Sequence, residues 1–332
     1  MGILRTAGAL VLAALSAAPA APPRDFDLQG HRGARGLAPE NTLAAFARAL
    51  SIGVTTLELD TALTRDGHVV VSHDPTLNPD LTRDAEGRWL GGPGPAIFSL
   101  PLAEVQRYDV GRLRPGTAYA TRFASAAPAD GQRIPKLADV FALARRANNP
   151  TVRFNVETKI DPRHPGLTPT PEAFADAVIA AVRGEGMASR TTVQSFDWRT
   201  LRHVRKVAPE IRTVCLTVQN PGDDNVQTGQ PGPSPLLGGL DVDDFGGSVP
   251  RLVQAAGCAV WSPHARSVTP ALVAEARGLG LKVVPWTVNE TGDMEALIAA
   301  GVDGIITDYP DRLRTVALRR GLAVPAPTPV QP

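Results

Sequence analysis

Short β-like segments alternate with helical segments along most of this 332-residue chain. We predict strands at residues 27–31, 55–60, 68–73, 152–157, 192–196, 211–217, 259–262, 282–288 and 304–307. Helical patterns fill most of the gaps, at residues 41–50, 136–147, 171–183, 197–207, 269–279, 291–299 and 310–319. Alternation at this spacing predicts an α/β protein in which helices cover a parallel sheet. The number of units favours one (β/α)8 TIM barrel over two halves of a doubly wound fold.

Three stretches interrupt the alternation. Residues 75–133 are rich in Pro, Gly and charged residues, with one short helical piece near residues 101–108, and we predict an insertion, or cap, after the second strand region. Residues 220–247 are predicted to form a second loop, which we expect to be mobile. The Pro-rich tail at residues 321–332 is expected to be disordered. The barrel domain then spans residues 25–320.

The N-terminus has the pattern of an export signal, and we predict a signal peptide at residues 1–20. Arg5 supplies a positive charge, residues 7–18 form a short apolar segment, and Ala18-Pro19-Ala20 offers a cleavage site. The apolar segment is shorter than the roughly 20 residues that cross a bilayer. No cysteine lies near the cleavage site, so the sequence does not indicate a lipid anchor. We therefore predict a periplasmic or secreted protein without a stable membrane anchor; the alternative is a frayed N-terminal helix.

Composition restricts the partners of the chain. It has 34 Lys and Arg against 33 Asp and Glu, for a net charge of +1, and only 5% of its residues are aromatic. A basic face that follows a phosphate backbone and an aromatic platform for bases are therefore both disfavoured. We predict no nucleic-acid partner, and the sequence does not indicate an oligomeric state.

The chain has two cysteines, Cys215 and Cys258, which both lie in apolar strand-like segments. We interpret them as buried free thiols, because cysteine is commonly a small core residue. Their strands are neighbours in the predicted barrel, so a disulfide remains the alternative, and an exported protein permits one.

Carboxylates cluster where predicted strands end. Glu58 and Asp60 are two residues apart on one strand, so their side chains point the same way. Glu157 ends another strand in the same layer. Burying several carboxylates together is costly without a cation, and oxygen ligands suit Mg²⁺ or Ca²⁺. The alternative is an ion network in which Glu58 and Asp60 pair with Lys159 and Arg32.

His31 and His73 also end predicted strands, which is where a barrel carries its catalytic groups. A single histidine there is usually a core residue, but here two accompany an arginine and three carboxylates. One neutral imidazole accepts a proton while a charged one donates a proton, as acid–base cleavage requires. The planar fork of Arg32 suits two oxygens of a phosphate.

Eight short motifs recur together in one known family. They are residues 29–33 (QGHRG), 38–42 (APENT), 57–60 (LELD), 73–74 (HD), 157–159 (ETK), 194–197 (QSFD), 285–289 (PWTVN) and 304–310 (GIITDYP). In their order, these motifs resemble glycerophosphodiester phosphodiesterases over residues 27–318. The resemblance implies the same barrel and one divalent cation, Ca²⁺ or Mg²⁺.

The resemblance also implies roles for individual residues. The family's metal ligands correspond to Glu58, Asp60 and Glu157, and its acid–base pair corresponds to His31 and His73. The implied substrate is a small-molecule glycerophosphodiester, which is hydrolysed to glycerol 3-phosphate and an alcohol. In this family the attacking group is thought to be the free glycerol hydroxyl, which gives a cyclic phosphate that water then opens.

Further residues are implied to bind the substrate. Arg32 would hold the phosphate, Lys159 would add positive charge beside it, and Phe196 and Trp286 would contact the glycerol part. The last two have packing as the alternative. Asn41 is expected to cap the first helix rather than to touch the substrate.

Three other functions remain open at this point. A phospholipase D-like or lysophospholipase D activity on lipid phosphodiesters would use the same site. A glycosidase would use Glu58 and Glu157 as a carboxylate pair, and leaves both histidines and Arg32 without a role. A protein that binds phosphodiesters without cleaving them is the third.

Overall fold

The computed structural model describes Gly2 and residues 25–160, 162 and 164–332. The predicted signal peptide at residues 1–20 lies outside the described residues, apart from Gly2. In the described part of the chain, no helix is both long and apolar enough to cross a membrane.

Eight parallel strands form a nearly closed barrel. The strands of the described residues are β1 (Asp27–Gly30), β2 (Thr56–Leu63), β3 (Val69–Val71), β4 (Arg153–Thr158), β5 (Thr191–Ser195), β6 (Arg212–Thr217), β7 (Gln219–Asn220), β8 (Asp223–Asp224), β9 (Val260–Pro263), β10 (Lys282–Val283) and β11 (Gly304–Thr307). Neighbouring strands follow the order β10-β9-β6-β5-β4-β2-β1-β11. Backbone bonds from Asp303 to Val283 and from Ile306 to Pro285, of 2.8 and 2.9 Å, close the ring. The predicted (β/α)8 barrel is confirmed.

Helices lie between most of the strands. They are α1 (Leu43–Ile52), α2 (Leu102–Val105), α3 (Ala118–Arg122), α4 (Leu137–Arg146), α5 (Pro171–Gly184), α6 (Trp198–Val207), α7 (Val249–Ala256), α8 (Pro270–Gly278), α9 (Thr291–Ala300) and α10 (Pro310–Arg319). Each longer helix turns an apolar face inward, as α6 does with Trp198, Leu201 and Val204. The sequence analysis missed α7, which begins after the N-cap Ser248.

Two predicted strands differ from the observed ones. The strand predicted at 68–73 is β3, which pairs with β2 as an antiparallel hairpin and is not a barrel strand. The strand predicted at 282–288 is shortened to Lys282–Val283, because Pro285 has no N–H group for a ladder.

The insertion at residues 75–133 packs against this hairpin. It contains α2 and α3, and Leu77, Ile97 and Val105 form a small apolar cluster with Val70 of β3. This cluster is separate from the main core between barrel and helices. The insertion therefore has its own small core, which attaches it to the barrel through β3.

Cys215 and Cys258 form a disulfide, so the interpretation as free thiols is wrong. Cys215 lies on β6, and Cys258 lies just before β9, its parallel neighbour. Their Cα atoms are 5.9 Å apart, which is within the range that a disulfide spans. The alternative based on neighbouring strands is the one that the structure contains.

The tail was expected to be disordered, and the structure places it against the barrel instead. The N–H group of Thr328 donates to the carbonyl of Leu50, and its hydroxyl accepts from Asn149 at 3.1 Å. Val324 and Val330 pack against the core. Prolines lack N–H donors, so a Pro-rich tail packs with few backbone partners, and its valines supply the apolar contact.

Candidate active site

The three predicted metal ligands lie together on the neighbouring strands β2 and β4. Asp60 and Glu157 are direct partners in the parallel register, and Glu58 lies two residues earlier on the same face. One carboxylate oxygen from each lies within 4.8 Å of the others, and all three residues are buried. We call Glu58, Asp60 and Glu157 the acid trio.

The acid trio has fewer cationic partners than charges. Lys159 Nζ lies 2.9 Å from Glu157 Oε1 and 3.7 Å from Asp60 Oδ1, and Arg32 Nε lies 3.1 Å from Asp60 Oδ2. Glu58 instead accepts hydrogen bonds from the Arg32 N–H group and from Gln194, at 2.8 and 2.7 Å. The ion network that the sequence suggested therefore exists around Asp60 and Glu157, but it leaves Glu58 with neutral donors.

The pKa values of the acid trio reflect this imbalance. Burial raises the pKa of Glu58, and the charges of Asp60 and Glu157 raise it further. Burial also raises the pKa of Glu157 to about 7, against the opposing charge of Lys159. Burial acts the same way on Asp60, but the positive charges around it, with Arg32 the largest contributor and Lys159 another, together outweigh burial and hold the pKa of Asp60 below its ordinary value. Three buried oxygen ligands short of positive charge fit a hard divalent cation.

His31 follows β1 and is held by a carboxylate. Its Nδ1 donates to Asp308 at 2.7 Å, and Asp308 accepts from Arg35 at 2.8 and 3.0 Å and from Asn289 at 2.7 Å. Because a carboxylate only accepts, the proton lies on Nδ1, and Nε2 faces Glu58 Oε2 at 3.9 Å. Burial and the charge of Arg35 lower the pKa of His31 to about 3. His31 is therefore a neutral imidazole near neutral pH.

His73 follows β3 and has a similar arrangement. Its Nδ1 donates to Asp74 at 2.8 Å, and Asp74 accepts from Asn78 at 2.6 Å. Burial lowers the pKa of His73, and the charges of Arg32 and Lys159 lower it further. Each predicted histidine thus has Nδ1 tied to a carboxylate, which leaves Nε2 for proton transfer.

The loop after β1 directs Arg32 toward the acid trio. Arg32 has a φ of 50°, in the left-handed region that non-glycine residues rarely adopt. The turn is tight, because a Cβ at Gly30 would lie 2.1 Å from the carbonyl oxygen of Gly33. One Nη of Arg32 donates to Glu40 at 2.7 Å while its Nε faces Asp60. These carboxylates outweigh the effect of burial and raise the pKa of Arg32, which therefore stays charged.

The insertion contacts the site through α3. Tyr119 donates a hydrogen bond to Glu40, the carboxylate that holds Arg32. The ring of Phe123, at the end of α3, lies under the guanidinium of Arg35 at 4.7 Å. Both contacts reach residues that position the arginine and the histidine of the first loop.

Phe196 and Trp286 lie side by side after β5 and β10. Their ring centroids are 5.3 Å apart in an edge-to-face arrangement, and Trp286 Nε1 donates to the Ser262 carbonyl at 3.0 Å. Lys159 Nζ lies 5.7 Å from the Phe196 centroid, and His264 packs on the other side of Trp286. The two predicted substrate contacts therefore neighbour each other and Lys159.

Several residues of the site received no role in the sequence analysis: Asp308, Arg35, Asn289, Gln194 and Asp74. Glu40 was expected to organise the first loop, and it accepts a hydrogen bond from Arg32 of that loop. Asp308 directly follows β11, and the position of a polar residue after a strand end is a signal that was available. Asn41 was predicted to cap α1, but Thr42 is the cap, and Asn41 donates to Asp60 at 3.0 Å. With a φ of 55°, Asn41 does not have the extended backbone conformation that an N-cap needs.

The fold and the site define a (β/α)8 barrel whose catalytic end carries the acid trio, two histidines that are hydrogen-bonded to carboxylates, and the positively charged side chains of Arg32 and Lys159. The profile described as the glycerophosphoryl diester phosphodiesterase family matches residues 31–312. This chain belongs to that family.

Relatives cover nearly the whole chain. A glycerophosphodiester phosphodiesterase of Caldanaerobacter subterraneus is 31% identical over 88% of this chain and 97% of its own length. A crystal structure from Silicibacter pomeroyi, provisionally assigned as a glycerophosphoryl diester phosphodiesterase, is 37% identical with a TM-score of 0.79, covering 92% of this chain and 96% of its own. An Oleispira antarctica phosphodiesterase, solved with sn-glycerol-3-phosphate, shares the fold at 21% identity with a TM-score of 0.61, covering 87% and 95%.

Proposed function

We propose that this protein hydrolyses glycerophosphodiesters to glycerol 3-phosphate and an alcohol. The observation that carries the proposal is the convergence of the acid trio with His31 and Arg32 on one barrel end, in a chain of this family. The names of the relatives favour glycerophosphodiesters over lipid phosphodiesters as substrates.

Glu58, Asp60 and Glu157 would hold one divalent cation, Ca²⁺ or Mg²⁺. The bound ion would neutralise the phosphodiester and polarise its oxygens. Arg32 and Lys159 lie beside the acid trio and would bind the same phosphate from the protein side, with fixed positive charge where negative charge develops.

His31 and His73 would move the protons of the reaction. One histidine, in its neutral form, takes the proton of the attacking glycerol hydroxyl on its Nε2. The other enters the reaction protonated on Nε2 and gives that proton to the oxygen of the departing alcohol. Asp308 and Asp74 keep Nδ1 as the donor, so each Nε2 is the free atom. Phe196 and Trp286 would contact the carbons of the glycerol part.

We also propose that the protein is exported, to the periplasm or outside the cell. The pattern of residues 1–20 supports this. The disulfide between Cys215 and Cys258 is a second, independent support, because such bonds persist mainly in oxidising compartments.

The direct test measures release of glycerol 3-phosphate from glycerophosphocholine, with lysophosphatidylcholine as the competing substrate. We expect turnover of the soluble diester, loss of activity with a chelator, and recovery on adding Ca²⁺ or Mg²⁺. A preference for the lipid, or activity that resists chelation, would contradict the proposal.

We expect Asp308→Asn to lower kcat by about 10²-fold with little change in KM, because residues that orient a reacting group contribute on this scale. Asparagine keeps the shape of Asp308 but offers an N–H group to Nδ1 of His31, which favours the wrong tautomer. Asp176→Asn is the matched control. Asp176 Oδ1 lies 2.7 Å from His203 Nε2, and this pair is not part of the site. Equal kcat values for the two variants would show that Asp308 does not position His31.

A further inference from the structure

An open cleft lies between the insertion and the catalytic end of the barrel, with an empty volume of about 450 Å³ that includes open solvent. Leu77, Leu81 and Val110 of the insertion line it, as do His73 and Asp74, which directly precede the insertion. We call it the insertion cleft. No step proposed above uses the wall that the insertion supplies.

We infer that the insertion cleft binds the alcohol part of the substrate and favours a small alcohol that carries a positive charge. The inference rests on the proposed function. It concerns the alcohol side of the phosphodiester, for which the motifs shared with the family specify no binding residue.

The position of the cleft assigns it to the alcohol. Phe196 and Trp286, the contacts proposed for glycerol, follow β5 and β10. The cleft lies by the β2–β3 hairpin, where His73 follows β3, and β2 is separated from β5 and from β10 by other strands. The two ester groups of a phosphodiester point away from each other, so one end at the aromatic pair leaves the other end at His73.

The charge of the cleft favours a cation. Its described lining residues include two carboxylates, Glu40 and Asp74, and neither Lys nor Arg. Glu40 is already paired with Arg32, whereas Asp74 accepts hydrogen bonds from His73 and Asn78 and carries its charge at the edge of the cleft. A carboxylate bound by two such donors stays ionised near neutral pH.

The shape of the cleft favours a small alcohol with methyl or methylene groups. Leu77 is buried, while Leu81 and Val110 are half-buried, so aliphatic carbon lines the cleft together with Asp74. An apolar wall with one charged group is the usual design of a small-molecule pocket. An amino alcohol such as choline matches both sides of it.

A second, smaller cleft of about 230 Å³ also reaches His73, but its charge is unsuitable. It is lined by Lys159, Leu167 and Phe174, and Asp74 reaches it as well, so its one carboxylate is offset by one ammonium group. The ammonium of Lys159 would repel a cationic alcohol there. This cleft is therefore the competing location in the test.

The test compares two substrates of equal size. One is glycerophosphocholine, and the other is the 3,3-dimethylbutyl phosphodiester of glycerol, in which carbon replaces the choline nitrogen. We expect the wild-type kcat/KM to be about 10-fold higher for the choline diester. Leu81→Lys should remove this preference by placing an ammonium in the cleft that Asp74 lines, with a larger loss of kcat/KM for the choline diester than for the neutral diester. Val110→Lys repeats the test at a second half-buried position.

Two controls make the result specific. Leu318→Lys places the same charge on α10, where Leu318 is 55% exposed, and should leave the preference unchanged. Leu167→Lys places it in the smaller cleft. If Leu167→Lys changes the preference and Leu81→Lys does not, the alcohol lies in the smaller cleft and the inference is overturned.

The two proposals fail in different ways. Equal kcat/KM values for both diesters in the wild type, with glycerol 3-phosphate released from each, overturn the inference and leave the proposed function intact. A wild-type protein that releases no glycerol 3-phosphate from either diester overturns the proposed function and the inference together.

Discussion

His31→Ala is expected to lower kcat for glycerol 3-phosphate release by about 10³-fold, within the range that a proton-transferring side chain contributes. The same loss is expected for His73→Ala. Burial and nearby cations lower the pKa of each imidazole in the substrate-free protein, and the negative charge of the bound phosphodiester favours the protonated form of the histidine that donates. Alanine at either place offers no Nε2 through which a proton can be accepted or donated.

The measurement needs one control for chemistry and one for folding. His203→Ala removes a histidine that is also bound to an aspartate, Asp176, and should leave kcat unchanged. His31→Asn keeps an N–H donor toward Asp308. If this variant has a thermal midpoint near that of the wild type and the same loss of kcat as His31→Ala, the loss comes from catalysis and not from packing. Near wild-type turnover in either alanine variant would remove that histidine from the mechanism.

Glu58→Gln is expected to lower kcat by at least about 10²-fold and to weaken Ca²⁺ binding by a similar factor. Glutamine has the same volume, but it removes the carboxylate that has no cationic partner in the acid trio. Calorimetric titration with Ca²⁺, together with turnover after chelation and readdition, measures both effects. Glu210→Gln, which alters an exposed pair with Arg183, is the matched control.

The pH dependence of this binding has a definite sign. Burial raises the pKa of Glu157 to about 7 in the folded protein, above its ordinary value of 4.5. The metal-free fold therefore loses stability as the pH rises from about 4.5 through 7, because the folded state then holds a proton that the unfolded state has lost. A cation binds the ionised form, so Ca²⁺ should raise the melting temperature more at pH 8 than at pH 6. An equal shift at both pH values, or an unchanged titration in Glu58→Gln, contradicts the assignment.

The sequence alone predicted the barrel and the convergence of the acid trio, for physical reasons. Strands with a side-chain period of two place Glu58 and Asp60 on one face. Parallel strands end at one face of a barrel, so Glu157 and His31 follow. Both statements depend on local patterns and one rule of topology.

The sequence could not predict which residues, far apart along the chain, contact each other in the folded protein. His31 and Asp308 are 277 residues apart, and only the closed ring of strands makes them neighbours. The contact of Tyr119 with Glu40 depends on how an irregular insertion folds back, which no periodic pattern specifies. The pairing of Cys215 with Cys258 required the spacing of two strands in three dimensions.

The two ends of the described barrel meet on the side away from the reaction. Asp25 forms a parallel bridge with Ala323, and the segment beyond it packs by Leu50, where α1 returns to the base of the barrel. A fusion partner, an affinity tag or an immobilising linker attached at either end would emerge from the base. The mouth would then stay open to diffusing substrate, so surface-coupled preparations should keep the turnover of the free enzyme.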